Sequence, residues 1–237
     1  MSEFKDKALV LSSGGVDSTT CVAMAVERFG SENVSTVSVY YGQKHSKELA
    51  CAKAVADYYH VKHYEMDLSP VMAYSDCSLL EHSDKEIEHS SYAEQLEEKG
   101  GQGIVDTYVP FRNGLMMSSA AALAMSLYPE DKVHIYLGAH ADDAAGNAYP
   151  DCSRDFTDTM GRAIELGTGG HVVVEAPLVK WNKAGVVKEG LRLNAPYELT
   201  WSCYEGGSKA CGKCATCIDR LEAFRANGVE DPIEYQE

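Results

Sequence analysis

No run of some eighteen apolar residues, the length a membrane-spanning helix needs, occurs anywhere in the chain. Positive charge is scarce: 21 Lys and Arg stand against 36 Asp and Glu, a formal net charge of −15. Such a surface repels polyanions at long range, which argues against non-specific nucleic-acid binding. A small anionic ligand then needs a local gathering of cations and backbone N–H groups. The opening residues Met1–Lys7 are charged and lead into no long apolar stretch, so no secretory signal is expected and the expected address is the cytoplasm. No internal repeat and no low-complexity tract is found, which sets aside repeat architectures and tails.

The chain has 237 residues, 45% of them hydrophobic, enough to bury a substantial core in one domain with at most a small appendage. Eight cysteines are present, and in a reducing compartment clustered cysteines point to metal or catalysis rather than disulfides. Cys21, Cys51, Cys77 and Cys152 are scattered, whereas Cys203, Cys211, Cys214 and Cys217 lie close together near the C-terminus.

Short apolar runs alternate with helical patterns. Strands are expected at 8–11, 34–40, 63–68, 133–138 and 171–176, and helices at 18–29, 46–59, 115–127, 155–166, 182–193 and 215–226. Gly30 is placed to cap the first helix. The alternation implies βαβ units, hence an α/β fold with a parallel sheet and helices on both faces, and a ligand site beyond the carboxyl ends of the strands at the switch point of strand order. Residues 69–108 break the rhythm and read as an insertion, partly helical and partly mobile.

The first strand is followed at once by SSGGVDS, residues 12–18. Gly14 and Gly15 permit positive φ and close approach of backbone to ligand, the coming helix start offers unpaired N–H groups, and Ser13 and Ser18 add hydroxyls. This is a phosphate cradle without the Gly-Lys-Ser/Thr ending of the Walker type. An ordinary Gly/Ser turn capped by Asp17 or Ser18 is the alternative. The four clustered cysteines follow the pattern Cys-x7-Cys-x2-Cys-x2-Cys, which closes a tetrahedral site for structural Zn²⁺; a four-cysteine iron–sulfur cluster and unligated thiols are the competing readings. Gly206, Gly207 and Gly212 let the backbone fold tightly around an ion.

SSGGVDS resembles SGGxDS, the pyrophosphate loop of the ATP pyrophosphatases, which split ATP between the α and β phosphates and pass AMP to a substrate oxygen. SGGVDSTTC (13–21), YGQKHSKE (41–48), VPFRNGLMMSSAAALA (109–124), YPDC (149–152) and TWSCYEGGSKACGKCATC (200–217) together resemble the 7-cyano-7-deazaguanine synthase family. The resemblance implies a Rossmann-like fold of the adenine nucleotide alpha hydrolase kind, with an ATP-pyrophosphatase domain at 1–195 carrying the insertion at about 69–108 and a small zinc-binding region at 196–237. It implies ATP, Mg²⁺ and Zn²⁺, a homodimer, and no direct contact with nucleic acid or membrane. It implies a ligase that activates 7-carboxy-7-deazaguanine with ATP, lets ammonia displace AMP to give the amide, and activates the amide again to reach the nitrile.

Carried over residue by residue, the nucleotide falls to Ser12, Ser13, Gly14, Gly15, Val16, Asp17, Ser18, Thr19, Thr20, Cys21 and Val22, with Tyr41, Gly42 and His45. Asp17, Arg112 and Lys183 are the catalytic candidates, Asp17 positioning Mg²⁺ or the loop and Lys183 reaching the phosphates. Arg112 can pair with the substrate carboxylate or the α-phosphate. Asn113 joins the substrate candidates, although it serves equally as an N-cap, and His45 serves equally as a cap. Tyr149 and Asp151 are placed to grip the aminopyrimidinone edge, and Cys203, Cys211, Cys214 and Cys217 to hold the metal. Two stretches depart from the family pattern: Asp142 and Asp143 are more acidic than usual, and Arg154 is displaced by one residue. Cys21 and Cys51 also read as core residues, and Cys152 as lining the pocket without reacting. Two other readings stay open: another adenylating enzyme of the same fold, such as a tRNA thiolase or an amidating ligase, and a non-catalytic zinc module.

Overall fold

The computed structural model describes residues 6–98 and 100–236. Residues 1–5 of the charged N-terminal stretch lie outside them. Five parallel strands, β1 (Lys7–Leu11), β2 (Val34–Tyr40), β3 (Lys62–Asp67), β4 (Val133–Tyr136) and β5 (Val172–Glu175), form one sheet in the order β3-β2-β1-β4-β5. The helices are α1 (Val16–Phe29), α2 (Lys47–Tyr58), α3 (Ser69–Met72), α4 (Tyr92–Glu98), α5 (Arg112–Leu127), α6 (Ala141–Ala144), α7 (Arg154–Gly167), α8 (Lys183–Arg192) and α9 (Ala215–Ala226). The expected α/β class with a parallel sheet is what is found.

Period-two alternation along β1 explains the layers. Ala8 and Val10 point into one core with Val22 of α1, Val55 of α2, Val186 and Val187 of α8 and Phe224 of α9. Leu9 and Leu11 point into the other with Met117, Ala120 and Ala124 of α5 and Ile164 of α7. Both faces of the sheet are covered, as a parallel sheet requires. The run of alanines in α5 lets that helix lie close to the strands. α1 ends at Gly30, whose φ of 76° and N–H bond to the Val26 carbonyl fit the expected cap.

The boundary of α5 differs from expectation. It begins at Arg112, not Leu115, so Arg112 and Asn113 occupy its first turn. Phe111 sits ahead of it with φ 53°, and the Asn113 N–H is accepted by the Asp151 carboxylate at 2.9 Å. A side chain remote in sequence therefore does the capping for which Asn113 was one candidate. The 69–108 segment also goes further into the molecule than an insertion on the periphery: Leu96 and Val105 join the α5 core, and Leu79 and Leu80 form a third buried cluster with Tyr41 and Val109.

Candidate active site and metal centre

Strand order reverses on either side of β1, with β2 beside it on one edge and β4 on the other, so the switch point lies between β1 and β4. A cavity of about 220 Å³ opens there. Residues 12–15 leave β1 and turn into α1, and residues 137–140 leave β4. Gly138 allows the two to meet, since a Cβ on it would lie 3.2 Å from the Ser18 amide nitrogen.

The phosphate-loop residues are arranged by the backbone. Gly14 takes φ 80° and passes so close to α2 that a Cβ would sit 2.2 Å from the Glu48 carbonyl oxygen. Gly15 leads into α1 with no side chain capping the helix start. The helix start thus has no N-cap side chain bonded to it, and the Ser13 and Ser18 hydroxyls beside it lie 3.2 Å apart. The Ser12 hydroxyl is buried with no hydrogen-bond partner among the described residues, and Ser12 lines the cavity. An uncapped helix start beside an orphaned hydroxyl fits a polyphosphate.

Lys183, at the start of α8, reaches across to Asp17 with Nζ–O distances of 2.8 and 2.6 Å. Asn182 caps α8 through the Gly185 N–H, and Asp142 accepts the Lys183 N–H at 2.7 Å. Burial favours the neutral Asp17 acid, but Lys183 and then His140 outweigh it and hold the carboxyl below its ordinary value. Around this pair lie groups that the sequence reading left unassigned. His140 Nε2 is 3.3 Å from Asp143 and 3.4 Å from Lys183 Nζ. Asp143 is raised by burial, and Asp219 of α9 is pushed up to about 6 chiefly by burial. His140 and Asp143 belong to the stretch after β4 whose position at the switch point was visible in the sequence. Asp219 gave no such signal; it reaches the cavity because it stands one turn beyond Thr216, which also lines it.

On the opposite wall Arg112 donates to the Tyr41 hydroxyl at 3.1 Å and stacks over its ring. Tyr149 lines the cavity, its hydroxyl bonded to Thr107, with Tyr92 of α4 edge-on to it at 5.6 Å. The Tyr92 hydroxyl bonds Tyr204 at 2.7 Å. Tyr92 and Tyr204 had no periodic signature and were not anticipated; one comes from the insertion and the other from the cysteine region. Asn113 lines the cavity and donates to the Cys152 sulfur at 3.1 Å.

Several anticipated residues fall elsewhere. Asp151 is absent from the cavity wall, because its carboxylate caps α5. Gly42 takes φ 86° in the turn after β2, where its carbonyl accepts the Glu81 N–H. His45 packs against Gly206 in the loop between Cys203 and Cys211: a Cβ on that glycine would stand 2.6 Å from the His45 Cβ. The Thr20 hydroxyl is bonded to the Val16 carbonyl and to Tyr197, and Cys21 and Val22 are buried in the α1 core. Val16 is core as well, and Thr19 is fully buried. Of the SSGGVDS stretch, the cavity is lined by Ser12, Ser13, Gly15, Asp17 and Ser18.

Beside this cavity the four cysteines converge. Their sulfur atoms all lie within 4.8 Å of one another and are buried, and Cys211 and Cys217 are 3.9 Å apart. Four thiolates at about 2.3 Å from zinc stand about 3.8 Å from each other, so the cluster fits a closed tetrahedral site. Gly206 and Gly212, at φ 65° and 74°, turn the backbone, and Cys214 and Cys217 begin α9 one turn apart. The thiols share protons: hydrogen bonding with Cys203 drives Cys214 down and Cys217 up. A buried Arg220–Asp231 pair, at 2.6 and 2.9 Å, fixes α9 to the segment ahead of the cysteines, through Thr200 at 2.8 Å and Ser202 at 3.3 Å. In that segment the Trp201 N–H donates to the Gly14 carbonyl at 2.9 Å. The cysteine cluster thereby braces the phosphate loop.

A parallel α/β sheet with an uncapped Ser/Gly loop and a lysine–aspartate pair at its switch point defines a protein of the ATP-pyrophosphatase class. An NMN synthetase structure from Francisella tularensis shares the fold, with a TM-score of 0.50 at 15% identity, covering 96% of this chain and 79% of that one. The profile described as "Queuosine biosynthesis protein QueC" matches residues 7–228, and the chain belongs to that family. Among its relatives is a 7-cyano-7-deazaguanine synthase of Caldicellulosiruptor saccharolyticus, 42% identical over 97% of this chain and 96% of the relative. Another, of the same name, is from Archaeoglobus fulgidus, 38% identical over 96% of this chain and 89% of the relative.

Proposed function

We propose that this chain is an ATP-dependent carbon–nitrogen ligase that converts 7-carboxy-7-deazaguanine and ammonia to 7-cyano-7-deazaguanine in queuosine biosynthesis. The observation that carries the reading is the sharing of one cavity by an open helix start and by a cation, Arg112, that has no ion-pair partner among the described residues. The family and the names of its members support the same reaction.

A carboxylate is a poor electrophile because its leaving group would be oxide. Adenylation turns that oxygen into part of AMP, a good leaving group. In this reading Ser13, Gly15, Ser18 and the first-turn N–H groups of α1 hold the β and γ phosphates and stabilise the charge that develops as the α–β bond breaks. Lys183, kept cationic by Asp17 despite burial, adds positive charge on the same side. Arg112 orients the substrate carboxylate or the α-phosphate. Asn113, Tyr149, Tyr92 and Tyr204 close the far end, where aromatic faces and an amide suit a planar, polar heterocycle. Mg²⁺, when bound beside Asp17, would neutralise phosphate charge. Zn²⁺ would be held by the four cysteines and serve the fold rather than the chemistry.

The thiolase alternative is disfavoured at this site. Cys152 lines the cavity, but burial holds its thiol well above its ordinary value and its sulfur is engaged by Asn113. A homodimer in the cytoplasm completes the proposal on the family resemblance, and sedimentation checks the dimer. The test of the activity is mass spectrometry of a reaction containing the carboxydeazaguanine, ATP, Mg²⁺ and ammonium. Amide followed by nitrile is expected; neither product from zinc-loaded protein would refute the assigned substrate.

A further inference from the structure

The reaction proposed above imposes a proton count. Carboxylate, ammonium and two ATP give nitrile, two AMP and two pyrophosphate; both carboxylate oxygens leave on AMP, so all four ammonium hydrogens must leave as protons. One is lost to free the nitrogen lone pair and one as the C–N bond forms and AMP departs. Two more are lost as the adenylated amide breaks its C–O bond and becomes the nitrile. A site doing this needs a proton acceptor beside the reacting carbon.

On the phosphate side of the cavity the carboxylates sit beside Lys183 and His140, Asp219 included. Asp17 is bound to Lys183, and Asp143 is 3.3 Å from His140. On the opposite wall, Glu48 lines the cavity from the first turn of α2. Its carboxylate makes no hydrogen bond or ion pair among the described residues. Arg112, the cation assigned to the substrate carboxylate, lines the same cavity and acts on Glu48. The groups facing Glu48 are Arg112 from α5, Tyr41 after β2, and Cys51 further along α2. Its main chain is fixed as well, because the phosphate loop packs on the Glu48 carbonyl at Gly14.

We infer that Glu48 is the general base that takes protons from the nitrogen, first as ammonia displaces AMP from the acyl carbon and again as the amide is converted to the nitrile. This rests on the proposed reaction and adds a catalytic residue to it. In the first step the nitrogen lone pair forms the C–N bond, the N–H electron pair returns to nitrogen, the proton goes to a Glu48 oxygen and the C–O bond electrons leave with AMP. In the second, Glu48 having passed its first proton to solvent, the adenylated amide gives up one proton to leave a neutral imidate nitrogen. Loss of the remaining N–H to the same oxygen, again discharged to solvent between the two transfers, releases the electrons that complete the C≡N bond as the C–O bond electrons leave with the second AMP. Burial supports the assignment, since it pushes the Glu48 carboxyl up to about 7 against the opposing pull of Arg112. A base so poised is about half ionised at neutral pH and basic enough to accept a proton. Arg112 and Glu48 would then work as a pair, one holding oxygen and the other relieving nitrogen.

The experiment compares wild type with Glu48→Gln and Glu48→Asp in three assays: substrate-dependent ATP–pyrophosphate exchange, amide formation, and nitrile formation from supplied carboxamide. Glu48→Gln is expected to keep exchange within about threefold, because adenylation precedes proton removal, and to lose roughly 10²–10⁴-fold in both nitrogen steps. Wild-type amide formation should fall as pH drops through about 7; Glu48→Asp should keep a shifted limb and Glu48→Gln should lose it. A Gln variant within fivefold of wild type in amide formation would overturn the inference. So would an exchange loss as large as the amide loss, which would make Glu48 a binding or structural group. Should wild type itself form no amide, the proposed reaction falls and this inference with it. Exchange and amide formation intact in wild type and in Glu48→Gln would remove Glu48 alone.

Discussion

Gly14→Ala tests whether backbone shape, more than side-chain chemistry, builds the phosphate site. The alanine would have to hold φ near 80°, and its Cβ would stand 2.2 Å from the Glu48 carbonyl oxygen and 2.7 Å from the Ala52 amide nitrogen. Both are backbone atoms of α2, so no rotamer change relieves them. The left-handed conformation alone costs a residue bearing Cβ about 1–2 kcal/mol. Relief of the contact requires the loop to retreat by roughly 1 Å, the scale of misplacement that costs a site ~10²-fold in rate. Adding the strain of overpacking, about 1–3 kcal/mol, gives about 2–5 kcal/mol of lost stability, which for a domain of this size lowers the melting temperature by roughly 4–20 °C. Scanning calorimetry and ATP–pyrophosphate exchange read the two effects. Gly15→Ala is the control: its φ is −89° and an added Cβ meets nothing nearer than 3.5 Å. It should melt within about 2 °C of wild type, since it adds neither strain nor overlap. A Gly14→Ala protein that melts like wild type and exchanges at a third of its rate or better would refute the reasoning.

Three other perturbations have outcomes set by the geometry. Cys214→Ser, or prolonged chelation of wild type, should release about one equivalent of zinc and lower folded yield, because metal binding and folding are coupled; a colourimetric zinc assay against melting temperature checks it. Asp17→Asn should abolish exchange. Because Lys183 and His140 depress the native Asp17 pKa, its contribution to stability is complete above the ordinary carboxylate value of 3.8 and disappears as pH falls through the lowered one. Urea titrations across the acid range should therefore show a weaker loss of stability below pH 3.8 in Asp17→Asn than in wild type. Asp231→Ala leaves the fully buried Arg220 without its carboxylate, which should cost about 3–5 kcal/mol. A melting temperature within roughly 2 °C of wild type would show that the pair does not brace α9.

Much of the site could be read without coordinates because two of its parts are local. A Ser/Gly loop between a strand and a helix builds its cradle from consecutive backbone atoms, so Ser13, Gly15 and Ser18 were found from residue order alone. The cysteine cluster is nearly as local, three of its four ligands lying within seven positions of chain. Lys183 and Arg112 were reached through their places at the start of helices near strand ends. The candidates that fall off the cavity wall share one cause. Asp151, Gly42 and His45 stand close in sequence to cavity residues, yet each is turned to a structural partner: the α5 N–H of Asn113, the Glu81 N–H, and the Gly206 loop. Proximity along a loop does not say which way a side chain points.

Alternating apolar runs and the phosphate loop were enough to anticipate a parallel sheet, covered on both faces, with a cavity at its switch point, since both depend on periodicity and local geometry. The meeting of distant segments was decided by packing. Tyr92 from the insertion, Tyr204 from the cysteine loop and Asp219 from α9 share one cavity because the sheet, α9 and the cysteine cluster carry them there. Likewise Glu48 lies on the wall shared with Arg112 because Gly14 lets the phosphate loop press against α2. Contacts of that kind depend on the summed positions of many elements, and no short stretch of residues contains them.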